Sequence, residues 1–163
     1  KGRGLVNMDI KKHLNVLNKK QQSALLKLVK KKITKLPNKD GMSFPSLQTA
    51  PDLHHYKELE PLVEKLKEYI KRNFNVVKCW SLYTEGEESV WHHHTTDLTV
   101  VYYLKNKESL GTVFFKKNKM DCQKGPENSL ILFKDEVHRP PLKKKGTPKL
   151  NRYTVSLDIS FKT

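Results

Sequence analysis

Strict alternation over residues 152–161 is the strongest constraint on how this chain can fold. Arg152, Thr154, Ser156, Asp158 and Ser160 fall on one side of an extended segment, and Tyr153, Val155, Leu157, Ile159 and Phe161 on the other. The apolar side must pack against a helical layer or a core. Five consecutive polar positions on the opposite side have two readings: open solvent, or the interior of a barrel that holds a polar ligand.

Upstream, the pattern is of two helices followed by strands. Leu25, Leu28, Val29, Ile33 and Leu36 recur at three- and four-residue steps, which predicts a first helix that ends in the Pro37–Gly41 turn chemistry. Lys27, Lys30, Lys31, Lys32 and Lys35 fill its other face as a solvated stripe. Leu59, Leu62, Val63, Leu66, Tyr69, Ile70 and Phe74 form one face of a second helix, with Pro61 tolerated near its start. Runs rich in β-branched and aromatic residues follow at Val76–Tyr83, Leu98–Leu104, Gly111–Lys116, Ser129–Phe133 and Tyr153–Phe161. This order predicts an α+β chain: a β-barrel or sandwich with helices on one face.

At 163 residues there is material for one domain, with a helical part over about 9–74 and a barrel over about 76–162. No apolar run reaches the roughly 18–20 residues of a membrane span, and no signal peptide is visible, so no membrane partner is expected. Cys79 and Cys122 share no short motif and read as free thiols of a reducing cytoplasm. The net charge of +15 invites nucleic acid as a partner. Against that, only four of the 32 cationic residues are arginine, the residue with the planar fork that phosphate and base readers use.

The residues that carry chemistry lie around Trp91-His92-His93-His94-Thr95-Thr96-Asp97, just before a strand. On an extended chain His92 and His94 share a face, and His93 opposes them. His138 follows the run Ser129–Phe133 after a short connection. Two imidazoles from one strand end and a third from a later strand form the layout of a facial metal site, for which Fe(II), Zn, Ni and Cu are all suitable ions. His13, His54 and His55 read as surface or core histidines.

From about Leu47 to Phe161 the chain resembles the 2-oxoglutarate- and Fe(II)-dependent oxygenases, in particular small phage and marine-bacterial members loosely related to prolyl hydroxylases. The resemblance is carried by Thr49-Ala50-Pro51-Asp52-Leu53-His54 with the helix Leu59–Ile70, then Trp80, then His92-His93-His94 leading to Val101-Tyr102-Tyr103-Leu104. It continues through Gly111–Phe115, Asn128–Phe133, His138 and Arg152-Tyr153-Thr154. It implies a double-stranded β-helix (jelly-roll) barrel with the N-terminal helices packed on one face. It also implies Fe(II) on His92, His94 and His138, and a 2-oxoglutarate co-substrate whose far carboxylate is held by Arg152 and Thr154. Such an enzyme oxidatively decarboxylates 2-oxoglutarate to succinate and carbon dioxide while hydroxylating a protein side chain or small molecule.

One position departs from the family pattern. The family's usual His-x-Asp/Glu pair is here His92-x-His94, and the nearest carboxylate, Asp97, lies three residues beyond His94. A three-histidine site is the preferred reading over a set of His94, Asp97 and His138. Trp80, Tyr83 and Trp91 are candidates to shape the substrate side, with core packing expected of at least one. Two other functions compete: a basic nucleic-acid-binding module, and an oxygenase acting on nucleic acid.

Overall fold

A computed structural model of the chain describes residues 9–35, 47–87 and 91–163. Helix α1 (Lys19–Lys32) starts at a capping box, in which the Asn18 side chain accepts from the Gln21 backbone N–H and the Gln21 side chain accepts from that of Asn18. Its buried residues are Leu25, Leu28 and Val29, as the periodicity predicts. The helix ends earlier than expected. Ile33 is already extended, Thr34–Lys35 form a short strand β2, and Leu36 and the Pro37–Gly41 turn lie outside the described residues. The lysine stripe is only partly solvated, because the Lys30 and Lys32 ammonium groups lie over the rings of Tyr153 and Tyr56. Helix α2 (Glu60–Tyr69) has Pro61 in its first turn and buries Leu62 and Leu66. Phe74, assigned from sequence to its apolar face, instead opens strand β4.

The strands form two sheets. The larger has the order β1-β8-β5-β10-β4-β3-β2, with β1 Lys11–His13, β3 Leu47–Gln48, β4 Phe74–Thr84, β5 Leu98–Lys105, β8 Ser129–Phe133 and β10 Arg152–Phe161. The smaller has the order β7-β6-β9, with β6 Leu110–Lys116, β7 Lys119–Lys124 and β9 His138–Arg139. A single bridge from His92 to His138 adds the 91–94 segment beside β9. All ladder pairs are antiparallel. Eight segments run between the sheets along the chain (β4, 91–94, β5, β6, β7, β8, β9, β10), alternating except at the β6–β7 hairpin within the small sheet, which is the winding of a double-stranded β-helix.

Two cores result. The outer face of the large sheet carries Val100, Tyr102, Leu104, Leu130, Leu132, Val155, Leu157 and Ile159 against Leu25, Val29, Leu62 and Leu66 of the helices. The inner face carries Val101, Tyr103, Ile131 and Phe133, which meet Phe114 of the small sheet. Strand β8 therefore reads as an unbroken buried run, since both of its faces are covered. Strand β10 sits between β4 and β5 at the centre of the large sheet and shows its polar side to the barrel interior.

Candidate metal centre and co-substrate pocket

Register places the site. Along β10 the inward residues pair in rows across the sheet. Thr154 lies level with Leu82 and Tyr103, Ser156 with Trp80 and Val101, and Asp158 with Lys78 and Thr99. Beyond the next strand these rows continue to Ser129, Ile131 and Phe133. The predicted polar face is thus the lining of a barrel, with Arg152, Thr154 and Asp158 all buried.

At one end of this lining His92, His94 and His138 converge, each offering a ring nitrogen within 4.8 Å of the other two. The antiparallel bridge His92↔His138, with N–H···O bonds of 3.0 and 2.9 Å in both directions, sets two of the rings side by side. His94 reaches the same point two residues on. Two rings have their Nδ1 engaged away from the cluster: His138 Nδ1 is 2.7 Å from the Glu136 carbonyl oxygen, and His94 Nδ1 is 2.9 Å from Asp158 Oδ1. In both, that leaves Nε2 for a metal ion, the tautomer arrangement usual for metal-binding histidines. Burial, and then the His92 ring beside it, push the His138 pKa down to about 3. The ring is therefore neutral, as a ligand must be. Among the described residues this is the one group of three that could hold a metal ion.

The carboxylate alternative is not assembled. Asp97 Oδ2 instead accepts the Phe161 backbone N–H at 2.7 Å and the Ser160 hydroxyl at 3.5 Å, tying the start of β5 to the end of β10. His93 points outward and contacts Asp135 at 2.7 Å. His13 stacks on Tyr69, and His54 packs against His55. Of the three candidate aromatics, Trp80 stacks on His94 with centroids 5.5 Å apart. Tyr83 packs on Tyr153 and contacts Glu85, while Trp91 lies under Arg139 and beside Phe115. Only Trp80 borders the cluster.

At the other end of the lining is Arg152, 2% exposed. Its Nε and one Nη donate to the carbonyl oxygens of Leu110 and Gly111, both at 3.2 Å, and Tyr103 lies beside the guanidinium. No carboxylate among the described residues pairs with it. Burial lowers its pKa to about 10, so it is cationic at neutral pH. A buried guanidinium with three of its five N–H groups uncommitted has the donors to grip an anion. Tyr103 and Thr112 share a 2.8 Å hydroxyl–hydroxyl bond next to it. Tyr103 fits because Gly125 lies against its ring: a Cβ there would stand 2.7 Å from Cζ.

Sequence reasoning placed Asp158 on the right face but gave it no role, and it gave no role to Tyr103 or Thr112. For Asp158 the available signal was its place on the polar face, six residues beyond Arg152. For Tyr103 none existed, because a tyrosine within an apolar run reads as core.

A jelly-roll barrel with three converging histidines and a buried, unpaired arginine is the class of structure that the fold and the site define. Similar solved structures share the fold. One is a prolyl hydroxylase from Trichoplax adhaerens in complex with a hypoxia-inducible-factor peptide (TM-score 0.66, 14% identity, covering 93% of this chain and 83% of that one). Another is the viral collagen prolyl hydroxylase of Paramecium bursaria Chlorella virus-1 (0.62, 14%, 94% and 90%). A third is HygX from Streptomyces hygroscopicus with nickel, 2-oxoglutarate and hygromycin B bound (0.61, 10%, 94% and 83%). No family model and no curated protein matches the sequence itself.

Proposed function

We propose that this protein is a 2-oxoglutarate- and Fe(II)-dependent oxygenase that hydroxylates a protein side chain or a small molecule. The observation that carries the reading is the pairing, within one barrel, of a three-histidine cluster with a buried arginine that has no anion among the described residues. An unpaired buried cation is costly, and His94 and His138, with Nδ1 engaged away from the cluster, leave Nε2 to face it.

His92, His94 and His138 would hold the metal ion, and Arg152 with Thr154 the far carboxylate of the co-substrate. When bound, iron with 2-oxoglutarate supplies oxidative decarboxylation of the keto acid coupled to substrate hydroxylation. The chain's own part is to bind, orient and keep dry. Arg152 presents a preset fork, fixed by two backbone carbonyls, so little ordering remains when the carboxylate arrives. Val101, Ile131, Phe114 and Phe133 wall the interior with hydrocarbon and exclude water. Trp80 holds the His94 ring from the side.

The peptide-bound Trichoplax neighbour supports a protein substrate for this chain too. The competing nucleic-acid module leaves both the cluster and the orphan arginine unexplained. Incubation with Fe(II), a reductant and 2-oxoglutarate tests the proposal: succinate must form, and the yield must collapse in His138→Ala. Absence of succinate across peptide, nucleotide and amino-acid substrates refutes it.

A further inference from the structure

His94 stands where the resembling family has a carboxylate ligand, so the three-histidine set brings no negative charge to the metal. We infer that Asp158 supplies it from one layer out, as a positioning residue acting through His94. The inference rests on the metal reading above.

Several observations converge on Asp158. It is 6% exposed, and Oδ1 is completely shielded from solvent. Its single polar contact is the 2.9 Å approach to His94 Nδ1, which is bent away from an ideal N–H···O line. No lysine or arginine among the described residues lies within ion-pair distance. The register explains how it gets there. Asp158 lies on the inward row between Lys78 and Thr99, beside a bulge at which β4 carries the extra residue Val77. Across the strand Thr99 Oγ1 is also buried without a partner, and Lys78, level with Asp158 on the other neighbouring strand, is exposed and makes no ion pair with it.

A buried carboxylate without a cation is costly unless a positive charge arrives nearby. A divalent ion on the far nitrogen of the same imidazole provides that charge. The carboxylate in turn fixes the His94 tautomer and makes Nε2 a stronger donor. The ligand set and its outer carboxylate together then carry the single negative charge that a His-x-Asp set carries directly. Trp80 holds the ring from its face while Asp158 holds it from its edge.

Co(II) is the probe, added to the full chain and followed by its visible spectrum and by calorimetry. Asp158→Asn keeps the shape and an acceptor oxygen but not the charge, and should weaken Co(II) binding about 10- to 100-fold, the usual cost of losing an outer-layer partner. In a His94→Ala background the same change should have no further effect. A residue that merely fills space would tolerate Asn in every background. Wild-type-like Co(II) affinity in Asp158→Asn, or an equally large loss in the His94→Ala background, overturns the inference while leaving the metal site standing. Failure of the wild type to bind Co(II) removes the metal reading itself, and this inference with it.

Discussion

The two faces of β10 are buried alike and do opposite things. Val155, Leu157 and Ile159 are fully buried against the helical layer, and Arg152, Thr154 and Asp158 are almost as inaccessible inside the barrel. On the outer face every atom meets hydrocarbon, and burial is favourable in itself. On the inner face burial costs, because a guanidinium and a carboxylate are withdrawn from water without facing each other. Depth therefore says nothing about role here. The distinguishing sign is unmet bonding capacity, which the outer face lacks and the inner face concentrates at its two ends.

Breaking the comparison at the metal end should give the largest effect. His138→Ala is expected to abolish stoichiometric Fe(II) or Mn(II) binding while leaving the circular-dichroism spectrum and unfolding midpoint close to wild type. Metal stoichiometry by elemental analysis checks this. The outer face should respond in the opposite way. Leu157→Ala opens a cavity between β10 and the helices and should cost about 2–5 kcal/mol in denaturant unfolding, with metal affinity at protein concentrations and temperatures where the variant is folded unchanged.

Arg152→Lys comes next. It keeps a charge but loses the fork, and should weaken 2-oxoglutarate binding by roughly 1.5–3 kcal/mol, about 10- to 150-fold, with metal binding intact. Asp97→Asn removes the charge that accepts the Phe161 N–H and should cost about 1 kcal/mol of stability without touching metal stoichiometry, which separates Asp97 from the ligand set. Thr154→Val sharpens the comparison most finely. The swap is isosteric on a buried inward position, so a loss of about 0.5–1.5 kcal/mol in co-substrate affinity, with unfolding nearly unchanged, would mark the hydroxyl as a ligand contact.

Much of this was legible in the residues. The alternation over 152–161 carries both faces of β10 because a central strand with one wet and one dry side has no freedom of register. The His92, His94 and His138 convergence was readable from period-two geometry and from the order of the strands. Other features were hidden for physical reasons. Strand β7 reads Lys-Met-Asp-Cys-Gln-Lys, with no β-branched residue and an alternation that is inverted: Met120 and Cys122 are exposed, whereas Asp121 and Gln123 are half-buried. It forms because Lys117 and Asn118 both take positive φ in a two-residue hairpin that hands it its partner. Strands β1 and β9 are too short for any periodicity and exist only as pairings. The early end of α1 was obscured because Ile33 continues the helical spacing, whereas its backbone has already turned extended. The link from Asp158 to His94 crosses 64 residues, and no local pattern predicts it.

The central claim is that the inward face of β10 binds 2-oxoglutarate beside a histidine-held metal ion. Calorimetric titration of 2-oxoglutarate into the Mn(II)-loaded protein, wild type against Arg152→Lys, tests it most directly. The account predicts saturable one-to-one binding that requires the metal and is weakened at least tenfold by the substitution. Equal affinities in the two proteins, or no binding to the metal-loaded wild type, would contradict it.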